Sequence, residues 1–196
     1  MRRLKFAAIA HVALDFVAAQ LSLSQSAAFE AETYRPKRAA QLAPFRVEVI
    51  DGTSFRDIET KAVFRLYGIE TCSVGQMASL DRQSWPCDVV ATAWLVTATL
   101  NKWLVCATIR EAKGEHLSRC VTSDHADLAA DMLRAGLAVK APLMSGDPMI
   151  DAYARAEQQA RKTYQGLWSS TFEMPWIWRA THGGQGKAPG SGPVTP

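Results

Sequence analysis

The stretch VIDGTSFRDIETKAVFRLYGIETCS, from Val49 to Ser73, decides the fold of this chain. The segment FRVEVID alternates apolar and polar residues up to an Asp-Gly turn signal, and the short segment SFRDI follows it. The longer segment KAVFRLYGI then alternates again. These patterns predict three consecutive β-strands joined by short turns.

Two further strands and three helices are predicted downstream. KWLVCATIRE and HLSRCVTSD are predicted strands, joined by a turn around Lys113-Gly114. The first helix is predicted to begin with Asp88 as its cap and to end at about Asn101. The second covers ADLAADMLRAGLAVK, with Gly136 as its C-terminal cap, and the third covers MIDAYARAEQQARKTYQGLW. PWIWR is expected to cover an apolar surface with its aromatic residues. The predicted fold class is therefore α+β, an OB-fold-type five-stranded β-barrel with about three α-helices.

The first 28 residues have the layout of a secretory signal peptide. A basic start, MRRLK, precedes an apolar run, and Ser26-Ala27-Ala28 offers small residues at a cleavage site. His11 and Asp15 interrupt the run, so an amphipathic helix that stays attached is the alternative. The run is too short for a transmembrane anchor. We therefore predict no membrane span and a periplasmic or secreted location.

The rest of the chain divides into three parts. Residues 29–44 form an irregular lead-in, 45–180 the folded domain, and 181–196 a disordered tail rich in Gly and Pro. A length of 196 residues suits one domain, and we expect a monomer. The net charge of +3 gives no overall basic field that would attract nucleic acid, but it does not exclude a local basic groove.

The four cysteines, Cys72, Cys87, Cys106 and Cys120, are even in number in a chain predicted to be exported. Two disulfides are the expectation, and pairing of neighbours is the simplest of three connectivities. Each bridge would then close a loop of about 15 residues. Zinc is the alternative, but no CxxC pair and no histidine at finger spacing accompanies these cysteines.

The segments VIDGTS, VFRLYGIET, LSRC, ADMLRAGLA and AEQQARKTYQGLW, taken in order, resemble the staphylococcal nuclease (thermonuclease) family over about residues 45–179. The WPC segment, the cysteine-bearing strands and PWIWR resemble an exported branch that includes proteins associated with exopolysaccharide (succinoglycan) biosynthesis. The resemblance implies calcium-dependent hydrolysis of nucleic-acid phosphodiesters. Such a site needs oxygen ligands for the cation and arginines that neutralise charge on the phosphate.

Several positions keep the pattern that the resemblance implies. Arg65 stands at an arginine of the family motif, although strand spacing alone favours a charge at the barrel rim over a phosphate ligand. Glu70 replaces a ligating Asp, Thr71 matches, and Asp51 stands at a supporting position. The remnant catalytic pair is thus Arg65 and Glu70. A weak calcium site of Asp51, Glu70 and Thr71 is the implied metal set.

Three other positions depart from the family pattern. Thr53 stands where a calcium-ligating Asp is expected, and Ser73 where the Glu that handles the attacking water is expected. Glu115 stands where a second Arg is expected, with Arg119 nearby in the strand as a weak substitute. Cys72 replaces a Pro. An anion in place of an arginine opposes an anionic phosphate, which favours a degraded catalytic site.

The predicted function is therefore that of an exported thermonuclease-like pseudoenzyme that acts as a binding or accessory protein. Its expected partner is single-stranded nucleic acid or an oligosaccharide. One alternative is an active calcium-dependent nuclease in which Glu70, Asp51 and Arg65 suffice, and another is a structural module in exopolysaccharide production. Calcium is the one cofactor implied, and the weak ligand set favours none.

Overall fold

A computed structural model describes residues 43–142 and 147–182 of the chain. The predicted signal peptide, the lead-in up to residue 42 and the predicted tail from residue 183 lie outside the described residues, and they stay predictions. The described residues belong to one compact unit that begins at Leu42.

Five strands form one sheet, and they are the five that the sequence predicts. They are β1 Val47–Val49, β2 Ser54–Asp57, β3 Val63–Leu66, β7 Val105–Ala112 and β8 Glu115–Val121. The sheet order is β1-β2-β3-β8-β7, antiparallel throughout except for the parallel pair β3 and β8. Phe45 and Leu104, which precede the two edge strands, exchange backbone hydrogen bonds of 2.9 and 2.8 Å and so close the sheet into a barrel.

Four short strands accompany the barrel, and the sequence predicts none of them as a separate strand. They are β4 Ile69–Glu70, β5 Met77–Leu80, β6 Gln83–Pro86 and β9 Val139–Lys140. The third predicted strand was expected to run on to Ile69, and the second predicted helix was wrongly extended over Val139–Lys140, since that helix ends at Arg134. Strands β5 and β6 form an antiparallel hairpin whose turn places Asp81 at a φ of 54° without a glycine, so the usual turn signal is missing. Strands β4 and β9 come from distant parts of the chain and pair antiparallel, with Glu70 opposite Val139.

The three predicted helices are present, and PWIWR opens a fourth. The helices are α1 Cys87–Thr99, α2 Leu128–Arg134, α3 Pro148–Lys162 and α4 Pro175–His182, with a 3₁₀ turn at Gly166–Ser169. Asp127 caps α2 by accepting from Ala130 N at 3.1 Å, and Asp147 caps α3 by accepting from Met149 N at 2.9 Å. The prediction that Asp88 caps the first helix is wrong, because the backbone N–H of Gly75 occupies its carboxylate at 2.8 Å.

Two apolar clusters hold these elements together. The larger lies between the barrel and helices α1 to α3, with Phe55, Leu95 and Tyr153 almost fully buried. The smaller lies around the Cys72–Cys87 disulfide, where Trp176 of α4 packs against it. The prediction for PWIWR is therefore confirmed for Trp176, which covers the apolar cluster from a helix, whereas Trp178 stacks on His182.

The structure joins Cys72 to Cys87 and Cys106 to Cys120, which is the neighbour pairing. The second bridge links directly opposed residues of β7 and β8. Among the helices of residues 43–142 and 147–182, none combines the length and apolarity needed to cross a bilayer.

Candidate functional site

A cleft of about 620 Å³ opens on the side of the barrel where β3, β8 and the turn after β4 meet. All the site residues that the sequence predicts for catalysis or metal binding line it. Arg179 of α4 lines it as well, although the sequence did not assign that residue to the site. The charged lining residues are Asp51, Arg65, Glu70, Arg110, Lys113, Glu115 and Arg179.

The turn between β1 and β2 forms one end of the cleft floor. Asp51 Oδ1 accepts hydrogen bonds from Thr53 N at 2.7 Å, Thr53 Oγ1 at 3.0 Å and Ser54 N at 2.8 Å. Burial alone would raise the pKa of Asp51, but the hydrogen bonds from Ser54 and Thr53 and the charge of Arg65 together lower it below 3.8. This carboxylate is therefore ionised, and one of its oxygens organises its own turn.

Arg65 and Glu115 form an ion pair at the centre of the floor. The parallel register sets Arg65 beside Leu117, so that Glu115, two residues earlier on β8, faces the same side of the sheet. Arg65 Nε donates to Glu115 Oε2 at 2.7 Å, and Nη2 donates to Oε1 at 3.3 Å. Arg65 Nη1 donates to Thr53 Oγ1 at 2.8 Å. Three nitrogens of the guanidinium are thus already occupied.

The pKa values of this pair follow from their contact. The hydrogen bond to Glu115 raises the pKa of Arg65 against the opposing effect of burial, and the charges of Asp51 and Glu70 act in the same direction. The hydrogen bond from Arg65 lowers the pKa of Glu115 below its ordinary 4.5. Both groups therefore stay charged at neutral pH, and each cancels the other's field within the cleft.

The turn after β4 forms the opposite wall, and Arg179 reaches it from α4. Arg179 Nη2 donates to Glu70 Oε2, and Arg179 Nη1 donates to Ser73 Oγ at 3.4 Å. Thr71 is buried beneath the wall, where its Oγ1 would lie 2.7 Å from a Cβ added at Gly52. Sequence reasoning missed Arg179 because 109 residues separate it from Glu70. Its only signal was that it is the single basic residue in PWIWR.

Two further links hold this wall in place. The Cys72–Cys87 disulfide ties the turn to the first residue of α1. Gln76, which is fully buried, accepts from Ser73 N at 2.9 Å and donates through Nε2 to the carbonyl of Glu173 at 2.6 Å. Gln76 therefore connects the turn to the segment that precedes α4, so the position of Arg179 is coupled to that of Ser73.

The residues present do not fit a calcium ion. Such an ion takes six to eight oxygen ligands and favours carboxylates. Here Asp51 has one oxygen held by its own turn and the other 3.8 Å from Arg65 Nη1, while Glu70 pairs with Arg179. Within the part of the chain that the structure describes, no three His, Cys, Asp or Glu side chains group as metal ligands. A cation would face two guanidinium groups among its intended ligands.

Arg119 does not stand in for the second arginine that the family resemblance implies. Its side chain lies outside the cleft, where Nε donates to Asp127 Oδ2 at 2.7 Å and Nη2 donates to the carbonyl of Ala126 at 2.9 Å. Tyr153 OH donates to the same Asp127 carboxylate. Arg119 therefore holds the cap of α2, and it makes no contact with the site.

Comparison with known proteins supplies independent information on the fold. A family model described as staphylococcal nuclease homologue matches residues 64–170, more than half of the chain. The matched range includes Arg65, Glu70, Ser73 and Glu115, whereas Arg179 lies beyond it. No curated protein matches the chain.

Proposed function

Because this chain belongs to the staphylococcal nuclease homologues, we propose that it is a nuclease-fold domain that binds single-stranded nucleic acid without hydrolysing it. The observation that carries the proposal is the Arg65–Glu115 ion pair on the cleft floor. A hydrolytic site must keep its arginine available to the phosphate as charge develops in the transition state. Here a carboxylate occupies that arginine through two nitrogens.

Hydrolysis is also disfavoured because several of the transition-state contacts that the family resemblance implies are absent at once. Loss of one preorganised contact of this kind costs about 2.7–4 kcal/mol of transition-state stabilisation. Glu115 removes one arginine and neutralises the other, while the hydroxyls of Thr53 and Ser73 stand where the family resemblance implies carboxylates. The losses are not additive, but each of them slows hydrolysis.

Binding is supported by the charge of the cleft. Its lining carries four cations against three carboxylates, so a modest positive field remains after all internal pairing. This field suits an anionic chain held by its backbone, without a metal. Nucleic acid is the anionic chain that homologues of this fold bind, and an acidic oligosaccharide is the competing ligand.

We also propose that the mature protein is periplasmic or secreted. Both disulfides and the basic-apolar-small layout of residues 1–28 support an oxidising compartment. Mass spectrometry of the protein recovered from a periplasmic extract should show an N-terminus close to Ala28. Recovery of the intact N-terminus from the cytoplasmic fraction would contradict export.

The decisive experiment compares cleavage of single-stranded DNA and RNA, with calcium, by the natural protein and by a variant carrying Thr53→Asp, Ser73→Glu and Glu115→Arg. We expect no cleavage by the natural protein and measurable cleavage by the variant. Cleavage by the natural protein that chelator and Arg65→Ala both abolish would establish the active nuclease instead.

A binding assay completes the test. Filter binding with a labelled single-stranded oligonucleotide at low salt should give saturable binding by the natural protein. Binding of an acidic oligosaccharide in preference to the oligonucleotide would support the link to exopolysaccharide. Failure to bind either would leave a purely structural module as the function.

A further inference from the structure

The positive charge that remains available in the cleft lies at its mouth. Three cations line the cleft there: Arg110 on β7, Lys113 in the turn between β7 and β8, and Arg179 on α4. We call them the rim cations. Among the described residues, Arg110 and Lys113 make no side-chain hydrogen bond or ion pair. Arg65, in contrast, is held on the floor by Glu115, with Thr53 on its third nitrogen.

A β-bulge places Arg110 in the cleft. Thr108 pairs with Ser118 and Arg110 pairs with Leu117, so the intervening Ile109 is an extra residue in β7. Without the bulge, Ile109 would pair with Leu117 and face the cleft, because side chains alternate along a strand. Because of the bulge, the cationic Arg110 lines the cleft at this point instead of the apolar Ile109, whose side chain is 43% exposed.

A two-residue turn places Lys113 at the tip of the same hairpin. Lys113 and Gly114 have φ values of 53° and 80°, and β7 and β8 meet on either side of them. Positive φ at both central residues is the requirement of a type I′ hairpin turn. The cleft wall therefore ends in a lysine on a short, defined turn.

Arg179 completes the rim from α4. A guanidinium carries five N–H donors, and Arg179 uses one on Glu70 and one on Ser73. Three donors remain, and the side chain is 49% exposed. Because Glu70 contacts only one nitrogen of Arg179, the guanidinium keeps free N–H donors that can bind a phosphate.

From this placement we infer that the rim cations Arg110, Lys113 and Arg179, and not Arg65, bind the phosphate groups of a nucleic-acid strand across the mouth of the cleft. The inference rests on the proposed function for the identity of the polymer. Phosphate is thus bound at the rim of the cleft by these cations, and not on its floor by Arg65. The strand lies over the Arg65–Glu115 pair without displacing it.

Inorganic phosphate tests the assignment without a polymer. The Nε–H signals of the arginines are followed by NMR during a phosphate titration of the full chain, and they are assigned with Arg65→Gln, Arg110→Gln and Arg179→Gln. We expect the Arg110 and Arg179 signals to shift and saturate while the Arg65 signal stays in place. A shift of Arg65 alone, or of none of the three, overturns the assignment.

The salt dependence of binding tests the same residues with a polymer. Removing one cation that neutralises a phosphate should reduce the slope of log K against log salt by about 0.7 for a single strand. Arg110→Gln, Lys113→Gln and Arg179→Gln combined should therefore flatten the slope by about 2 units. The matched control is Arg56→Gln, which removes a surface arginine that pairs with Glu48 away from the cleft, and it should leave the slope unchanged.

The two experiments separate the two proposals. A phosphate response at the rim with no binding of oligonucleotide would refute the proposed function and sustain the rim assignment. Oligonucleotide binding with an unaltered slope in the triple variant, shown to be folded by its circular dichroism, would refute the rim assignment and sustain the proposed function.

Discussion

Glu115→Gln is the substitution that most directly tests the neutralised floor of the cleft. In the natural protein the Glu115 carboxylate takes two nitrogens of Arg65, the shorter contact being 2.7 Å. The amide keeps the shape and one acceptor oxygen but removes the charge. Arg65 then loses its closest carboxylate, and Asp51, at 3.8 Å, stays as an ion-pair partner while Glu70 acts from farther away.

The expected magnitudes follow from exposure and charge. The Arg65 and Glu115 side chains are 35% and 32% exposed, so solvent screens the pair, and its removal should cost less than about 1 kcal/mol of unfolding free energy. Binding should strengthen, because one more phosphate can be neutralised. The slope of log K against log salt should steepen by about 0.7.

Fluorescence anisotropy of a labelled single-stranded oligonucleotide, measured over a series of salt concentrations, gives both the affinity and the slope. Glu111→Gln is the matched control, because Glu111 is a carboxylate of the same hairpin that pairs with His116 outside the cleft. If Glu115→Gln and Glu111→Gln behave alike, Glu115 does not neutralise Arg65 in solution, and the reasoning fails.

Three more outcomes are expected from the geometry. Cys72→Ser with Cys87→Ser opens a loop of 15 residues and should lower the unfolding free energy by about 3 kcal/mol, measured by urea denaturation; a decrease below about 1 kcal/mol contradicts the loop argument. The pKa of Glu115 is lowered by folding, so its pairing stabilises the native state fully above pH 4.5 and less as the pH falls further. The difference in unfolding free energy between the natural protein and Glu115→Gln should accordingly be constant above pH 4.5 and shrink below it, and a difference that grows in acid reverses the sign we derive. Gly52→Ala places a Cβ 2.7 Å from Thr71 Oγ1 and should cost about 1–3 kcal/mol by thermal unfolding, whereas an unchanged melting temperature would mean that Thr71 moves freely.

The barrel was predictable because its signals are local. Alternation in FRVEVID, KAVFRLYGI and the two cysteine-bearing segments indicates strands within a few residues. All five strands occupy the predicted segments. Apolar residues at helical spacing likewise located α2 and α3. The hairpin of β5 and β6 carries neither strong alternation nor a glycine turn, so nothing local marked it.

The elements around the site were harder to predict because their contacts are not local in the sequence. The sequence suggests Asp88 as the cap of α1, but the helix already begins at Cys87, and Gly75, 13 residues away, supplies the backbone N–H that binds the Asp88 carboxylate. The sequence predicts that PWIWR covers an apolar surface, but not that it is helical. The structure shows that Trp176 packs against the disulfide cluster from a helix. Partners distant in the chain decided both outcomes.

By itself the sequence determined the barrel and the chemical groups on it: one arginine on β3, and neutral hydroxyls at Thr53 and Ser73, where the family resemblance implies a metal-binding Asp and a catalytic Glu. Only the tertiary structure decided how those groups are paired. Glu115 meets Arg65 across 50 residues, and Arg179 meets Glu70 across 109. A single bulge turns Arg110 into the cleft. The physical reason is that charge pairing depends on distances of about 3–4 Å, which are set by register and packing and leave no mark on the local pattern of residues.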